Sequence, residues 1–258
     1  MNHRSFLPWC LLAIFNPSAG AEAKAEAIAV SWHNKPPYHY LDNGVERGFL
    51  LARGKQLFAA AGLPAQFTAE PTKRIWASFQ NGRKNYCSLG RYRSREREAI
   101  AQFSRVLMTD PPQVLLVSAG ALERVRAHKN LASLLADPQF DLGLADGSSY
   151  GPQLDAMIKN SANQVVRRTV ESNQLIRMVA AGRMSYSIAD RYGWEYLRER
   201  EPALASVTML DLPGMPPGMA RYVVCSKDVP AASMARLDRA IEQLKLAERV
   251  PSAAELAE

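Results

Sequence analysis

Several features that would assign a function at once are missing from this 258-residue chain. It has only three cysteines, Cys10, Cys87 and Cys225, and no Cys-x-x-Cys pair. Its four histidines are His3, His33, His39 and His128, and none has a cysteine or carboxylate at metal-ligand spacing. Phosphate-binding, kinase and dinucleotide fingerprints are absent, as are internal repeats and low-complexity tracts. Gly147-Ser148-Ser149-Tyr150-Gly151 matches the Gly-x-Ser-x-Gly pattern of a hydrolase nucleophile turn. The base histidine of that arrangement follows the serine in the chain, whereas all four histidines here precede it, so the triad cannot be assembled in that order. No metal, cofactor or catalytic set is therefore expected.

Long apolar runs are also lacking. The apolar segment Phe6 to Phe15 is ten residues, well short of the roughly 20 a membrane-spanning helix needs. Arg4 before it and Ala19-Gly20-Ala21 after it complete the three parts of a secretory signal peptide. Residues 1–21 thus predict export with cleavage into the periplasm and no membrane insertion afterwards. Cys10 follows Pro8-Trp9 instead of a small residue, against a lipid-anchor site. Cys87 and Cys225 remain after processing, and an oxidising compartment permits a bridge between them. Each sits in an apolar, strand-like run, so two buried thiols fit equally well.

A long single-sign charge tract is missing too. Without Arg4 the chain holds 31 Lys+Arg against 25 Asp+Glu, a net charge of +6, and its charges interleave, as in Arg93 to Glu98 and Arg191 to Glu201. That is a solubilising surface, with no nucleic-acid motif.

What is present is alternation. Ile28, Val30 and Trp32 share one side of a strand. Pro36-Pro37 forces a loop after it, and helices follow over residues 48–61 and from Thr72 to Gly82. Strands are expected at Tyr86 to Leu89, Val114 to Val117, Asp141 to Ala145, Tyr186 to Ala189 and Arg221 to Ser226. Helices are expected near Leu131 to Ala136, over Pro152 to Ile158 with proline at its first position, and after a Ser172 cap. After Pro230 an apolar stripe of Met234, Leu237, Ile241 and Leu244 marks a last helix. The pattern is an α/β layer with a mainly parallel sheet, and Asp110-Pro111-Pro112 marks a boundary between lobes.

Ser94-Arg95-Glu96-Arg97, followed by Phe103-Ser104, resembles the ligand-cleft segment of the type II periplasmic solute-binding proteins, the amino-acid-binding-like family 3. Pro36-Pro37-Tyr38 with Gly48-Phe49, the Gly147 to Gly151 turn, and Gly182-Arg183-Met184 through Asp190 extend the resemblance over nearly the whole processed chain. It implies two lobes, each a mainly parallel sheet flanked by helices, with the second (110–219) inserted in the first (22–109 and 220–258). It also implies that Arg97 and Ser94 hold a ligand carboxylate from the first lobe, that Ser148 and Ser149 do so from the second, and that Asp190 holds an amino group. Arg97 suits that role because a guanidinium matches two carboxylate oxygens and stays charged.

The departures are informative. Gly48-Phe49-Leu50 stands for Gly-Phe-Asp, and Gly182-Arg183-Met184-Ser185 for Gly-Arg-hydrophobe-Asp. Lys35 occupies the place of a stacking aromatic, a role left to Trp32 or Trp76. Lys35, Tyr38, Arg74 and Trp76 complete the expected binding set. The resemblance implies a non-enzymatic receptor for a small polar or anionic solute, with an inner-membrane ATP-binding-cassette permease as partner. The alternatives are a dehydratase- or lyase-like derivative using Asp190 or Glu96, and a ligand sensor for a membrane protein.

Overall fold

The computed structural model describes residues 26–146, 149–169 and 172–257. The signal-peptide reading, and Gly147 and Ser148 of the glycine-hydroxyl turn, lie outside the described residues.

The first part of the chain forms β1 (Ile28–Trp32), a β2 (Tyr40–Asp42) and β3 (Val45–Arg47) hairpin, α1 (Phe49–Ala60), β4 (Ala65–Ala69), α2 (Thr72–Gln80), β5 (Tyr86–Tyr92), α3 (Arg95–Ile100) and β6 (Ala101–Thr109). The middle part forms β7 (Val114–Val117), α4 (Leu122–Arg126), α5 (Leu131–Leu135), β8 (Asp141–Ala145), α6 (Pro152–Lys159), β9 (Gln164–Arg168), α7 (Ser172–Ala180), β10 (Tyr186–Ala189), α8 (Arg191–Arg200) and β11 (Thr208–Leu210). The chain then returns through β12 (Ala220–Ser226), α9 (Ala231–Gln243) and α10 (Ala253–Ala257).

Two five-stranded sheets result, ordered β4-β1-β5-β12-β6 and β11-β7-β10-β8-β9. Each sheet has two parallel and two antiparallel pairings, so four of its five strands run one way and a single strand runs against them, in keeping with the mainly parallel sheet expected. The reversed strand is in each case the first one after a crossover between lobes, β12 in the first sheet and β7 in the second. In the first sheet, apolar side chains such as Val30, Leu50, Leu57, Leu89, Val223 and Leu237 fill one face, and Ile75, Phe79, Tyr86 and Val224 fill the other. The second sheet is likewise covered on both faces, as sheets with parallel crossovers require.

Only residues 110–113 and 211–219 connect the two sheets. These segments touch: the Asp110 N–H donates to the Met219 carbonyl at 3.0 Å, and a Cβ on Gly218 would lie 1.7 Å from the Asp110 oxygen. Glycine is required there by close backbone approach.

Cys87 and Cys225 face each other in the β5–β12 register and form a disulfide, with Cα atoms 4.0 Å apart. The question left open by the sequence is thus answered in favour of the bridge.

Candidate functional site

In open α/β sheets, ligands bind beyond the carboxyl ends of the parallel strands. Here that edge of the first sheet carries Trp32 and Tyr92, and that of the second carries Ala145 and Ala189. The crossovers lie at the same edge, because the last residue of β6 pairs with the first of β12 and the first of β7 with the last of β10.

On the first lobe, Ser94 caps α3, its Oγ accepting the Arg97 N–H at 3.4 Å. This fixes Arg97 one turn into the helix. Its Nη1 donates to the Tyr92 carbonyl at 2.7 Å, and its guanidinium lies 4.2 Å from the centre of the Trp76 ring. Such stacking orients the cation and leaves its edge available. No carboxylate pairs with Arg97 among the described residues. Trp76 therefore partners Arg97, whereas Arg74, on the same helix, is exposed.

On the second lobe, Ser149 is committed to the start of α6. Its Oγ donates to Asp155 at 2.6 Å and accepts the Gly151 N–H at 3.3 Å. Asp190 begins α8, one oxygen accepting the Gly193 N–H at 2.8 Å. Its other oxygen accepts from the Tyr38 hydroxyl at 2.7 Å and from the Lys35 ammonium at 3.2 Å. Three expected site residues from two lobes thus bind one another. Burial alone would raise the Asp190 carboxyl, but Lys35, Arg221, the Gly193 N–H and Tyr38 outweigh it and hold it below the ordinary range.

Residues that the sequence did not single out complete the cluster. Arg221, only 2% exposed, donates from Nε to Asp110 at 2.8 Å, from Nη1 to the Gly90 carbonyl at 2.9 Å and from Nη2 to the Tyr92 hydroxyl at 2.8 Å. Tyr92 in turn donates to Asp110. Tyr38 reaches from Asp190 to Asp110, 3.2 Å away, so one polar chain runs from the crossovers to the second lobe. A charge just before Pro-Pro and another at the start of an apolar strand were the available signals.

His39 is fully buried, its ring 4.7 Å from His33 and 6.0 Å from the fully buried Trp32. Burial, then the cations Arg91 and Arg221, push its pKa well down. A histidine kept neutral in the fold stabilises fully above its unfolded pKa and costs stability as pH falls below it. Between pH 6.5 and 5 the loss through His39 is about 2 kcal/mol. Urea midpoints at pH 7.5 and 5 read this directly: His39→Gln reduces the slope and leaves the share of His33, whose pKa burial also pushes down, and an unchanged midpoint in the parent protein contradicts it.

No family model and no curated protein matches the chain. Solved structures do. The arginine-, lysine-, histidine-binding protein ArtJ from Geobacillus stearothermophilus is similar at 18% identity, covering 90% of this chain and 100% of that one, with a TM-score of 0.66. The ancestral amino-acid-binding protein AncCDT-1, a precursor of cyclohexadienyl dehydratase, matches at 18% identity over 85% and 89%, with a TM-score of 0.66. A structure concerning glutathione import via GshT and the cystine importer TcyBC of Streptococcus mutans matches at 15% over 89% and 100%, with a TM-score of 0.67. The chain has the two-lobed α/β fold of the type II periplasmic solute-binding proteins.

Proposed function

We propose that the protein is a non-enzymatic receptor that captures a small anionic solute between its lobes (22–109 with 220–258, and 110–219) and presents it to an inner-membrane permease of the ATP-binding-cassette type. The observation that carries this reading is Arg97: capped by Ser94, stacked on Trp76 and free of any described carboxylate, it is a preformed anion fork at the ligand edge of the fold. Two crossover segments suit hinge closure on a ligand. Relatives in fold that bind amino acids support a small-molecule role. Asp190, held ionised and accepting three hydrogen bonds, suits an anchor and not a proton shuttle, which speaks against a dehydratase-like derivative.

The disulfide fits an oxidising compartment, and no described helix is long and apolar enough to cross a membrane. Export to the periplasm after removal of residues 1–21 belongs to the same proposal.

A thermal-shift screen against small organic acids and amino acids tests it. A solute at about 100 times its dissociation constant adds roughly 2.7 kcal/mol of stability, and Arg97→Ala abolishes the shift. A protein that no small acid or amino acid stabilises refutes the proposal.

A further inference from the structure

Unsatisfied buried polar atoms are concentrated on the first lobe. The buried side-chain nitrogens without a described partner are Trp32 Nε1, His33 Nδ1, both ring nitrogens of His39, Trp76 Nε1 and Arg91 Nη2, with Trp194 Nε1 elsewhere. Arg91 is the unusual member. Among the described residues the other buried arginines are matched, Arg221 by Asp110 and Arg53 by Glu255, whereas Arg91, 5% exposed, has no carboxylate. One extra residue in β5 at Gly90, whose φ is 70°, shifts the register against β12. This puts Ser88 and Arg91 on one face, where Arg91 Nε donates to Ser88 Oγ at 2.8 Å. Its Nη2 is left bare.

The surroundings do not neutralise Arg91. Burial first, then Arg221 and Arg97, lower its pKa to about 9, so it remains a cation at neutral pH. The carboxylates in reach are spent. Glu70 holds the Tyr86 hydroxyl and Arg83. Asp110 holds Arg221, Tyr38 and Tyr92. Asp190 holds Gly193, Tyr38 and Lys35. Two guanidiniums, Arg91 and Arg97, therefore form no ion pair among the described residues, the exposed Glu96 acting on Arg97 only at a distance, while no described acid of the buried cluster is free to receive an ammonium. A buried unpaired charge is costly, and such groups mark functional sites kept at the expense of stability.

We propose that the solute is a small organic dianion without an amino group, one acid group held by Arg97 on Trp76 and the other paired with Arg91, with the Lys35 ammonium occupying Asp190. The inference rests on the solute-binding reading above and narrows its substrate class.

Calorimetric titration with matched pairs tests it: succinate against aspartate, glutarate against glutamate, with butyrate as monoanion and inorganic phosphate as compact dianion. The diacids bind at least about tenfold tighter than their amino partners and than butyrate, since an added ammonium meets no acceptor and a single acid leaves one guanidinium unpaired. Phosphate, which carries its charge on one centre and offers no second acid group, binds no better than butyrate. Arg91→Met cuts diacid affinity to that of butyrate while raising the melting temperature of the ligand-free protein, a combination that a merely structural arginine would not produce. Lys35→Met frees Asp190 and tightens amino-acid binding.

Amino acids that equal or exceed their diacids overturn the inference but leave the receptor reading standing, as does butyrate or phosphate binding as tightly as the diacids. An Arg91→Met variant that melts lower or fails to fold also overturns it. If no acid or amino acid binds at all, the receptor reading itself fails.

Discussion

Replacing Cys87 and Cys225 together by alanine lowers the unfolding free energy by about 4 to 5 kcal/mol. The bridge joins residues 138 apart in sequence, and the chain entropy withheld from the unfolded state grows with loop length, reaching about 4.7 kcal/mol for a 100-residue loop. The loop closed here contains both crossovers and the whole second lobe. Both sulfurs are fully buried, in neighbouring central strands of the first sheet. The bridge therefore fixes β5, which precedes Arg97, against β12, which carries Arg221. Urea unfolding of the double variant gives the loss directly, and a loss under about 1 kcal/mol contradicts the account. A reducing agent should reproduce most of the effect in the parent protein.

Cutting the Arg221–Asp110 pair is the second large effect. Both side chains are 3% exposed. Asp110→Ala leaves a buried guanidinium without its carboxylate and takes the acceptor from the Tyr92 hydroxyl. Breaking one member of a buried pair costs about 3 to 5 kcal/mol, because the survivor keeps its desolvation penalty. Arg221→Met has the converse defect. The double variant Asp110→Leu/Arg221→Met, which leaves no orphan charge, loses less than the sum of the singles. Additive losses, or a single-variant loss within measurement error, show that the pair is not coupled. Because Asp110 sits in one crossover and Arg221 just after the other, these variants should also alter the way the lobes meet.

Elements with a regular apolar period were legible in the sequence: β1, α1, α9 and the apolar strands β7, β8 and β10 all fall where periodicity puts them. Those that were missed have a physical reason. β4 and β9 are edge strands with one or both faces partly open, so their composition reads as loop. The segment over β6 carries Arg105 and Gln102, polar side chains that bond Glu242 of α9 and the Ser226 and Val229 carbonyls. α8 is arginine- and glutamate-rich and buries only Tyr192, Trp194 and Leu197.

The site divides in the same way. Arg97, Ser94 and Trp76 were all named from sequence, and the structure brings them together. Lys35, Tyr38 and Asp190 were named as separate ligand contacts, but their mutual bonding depends on α8 docking against the 35–40 loop, which no local pattern encodes. Arg91 stands in a buried strand where strict alternation would put it on the apolar face with Cys87 and Leu89, and the irregularity at Gly90 turns it toward Ser88. Of the glycine-hydroxyl segment, Ser149 was named as a ligand contact, yet it bonds Asp155 in the first turn of α6.

The central claim is that Arg97 holds an acid group of a solute bound between the lobes. Titration of the parent protein and Arg97→Ala, side by side, with the acid that gives the largest thermal shift tests it most directly. Loss of a buried charge-assisted pair should weaken binding at least about 30-fold, equivalent to about 2 kcal/mol, in a protein that still unfolds cooperatively without ligand. Equal affinities in the two proteins would contradict the account.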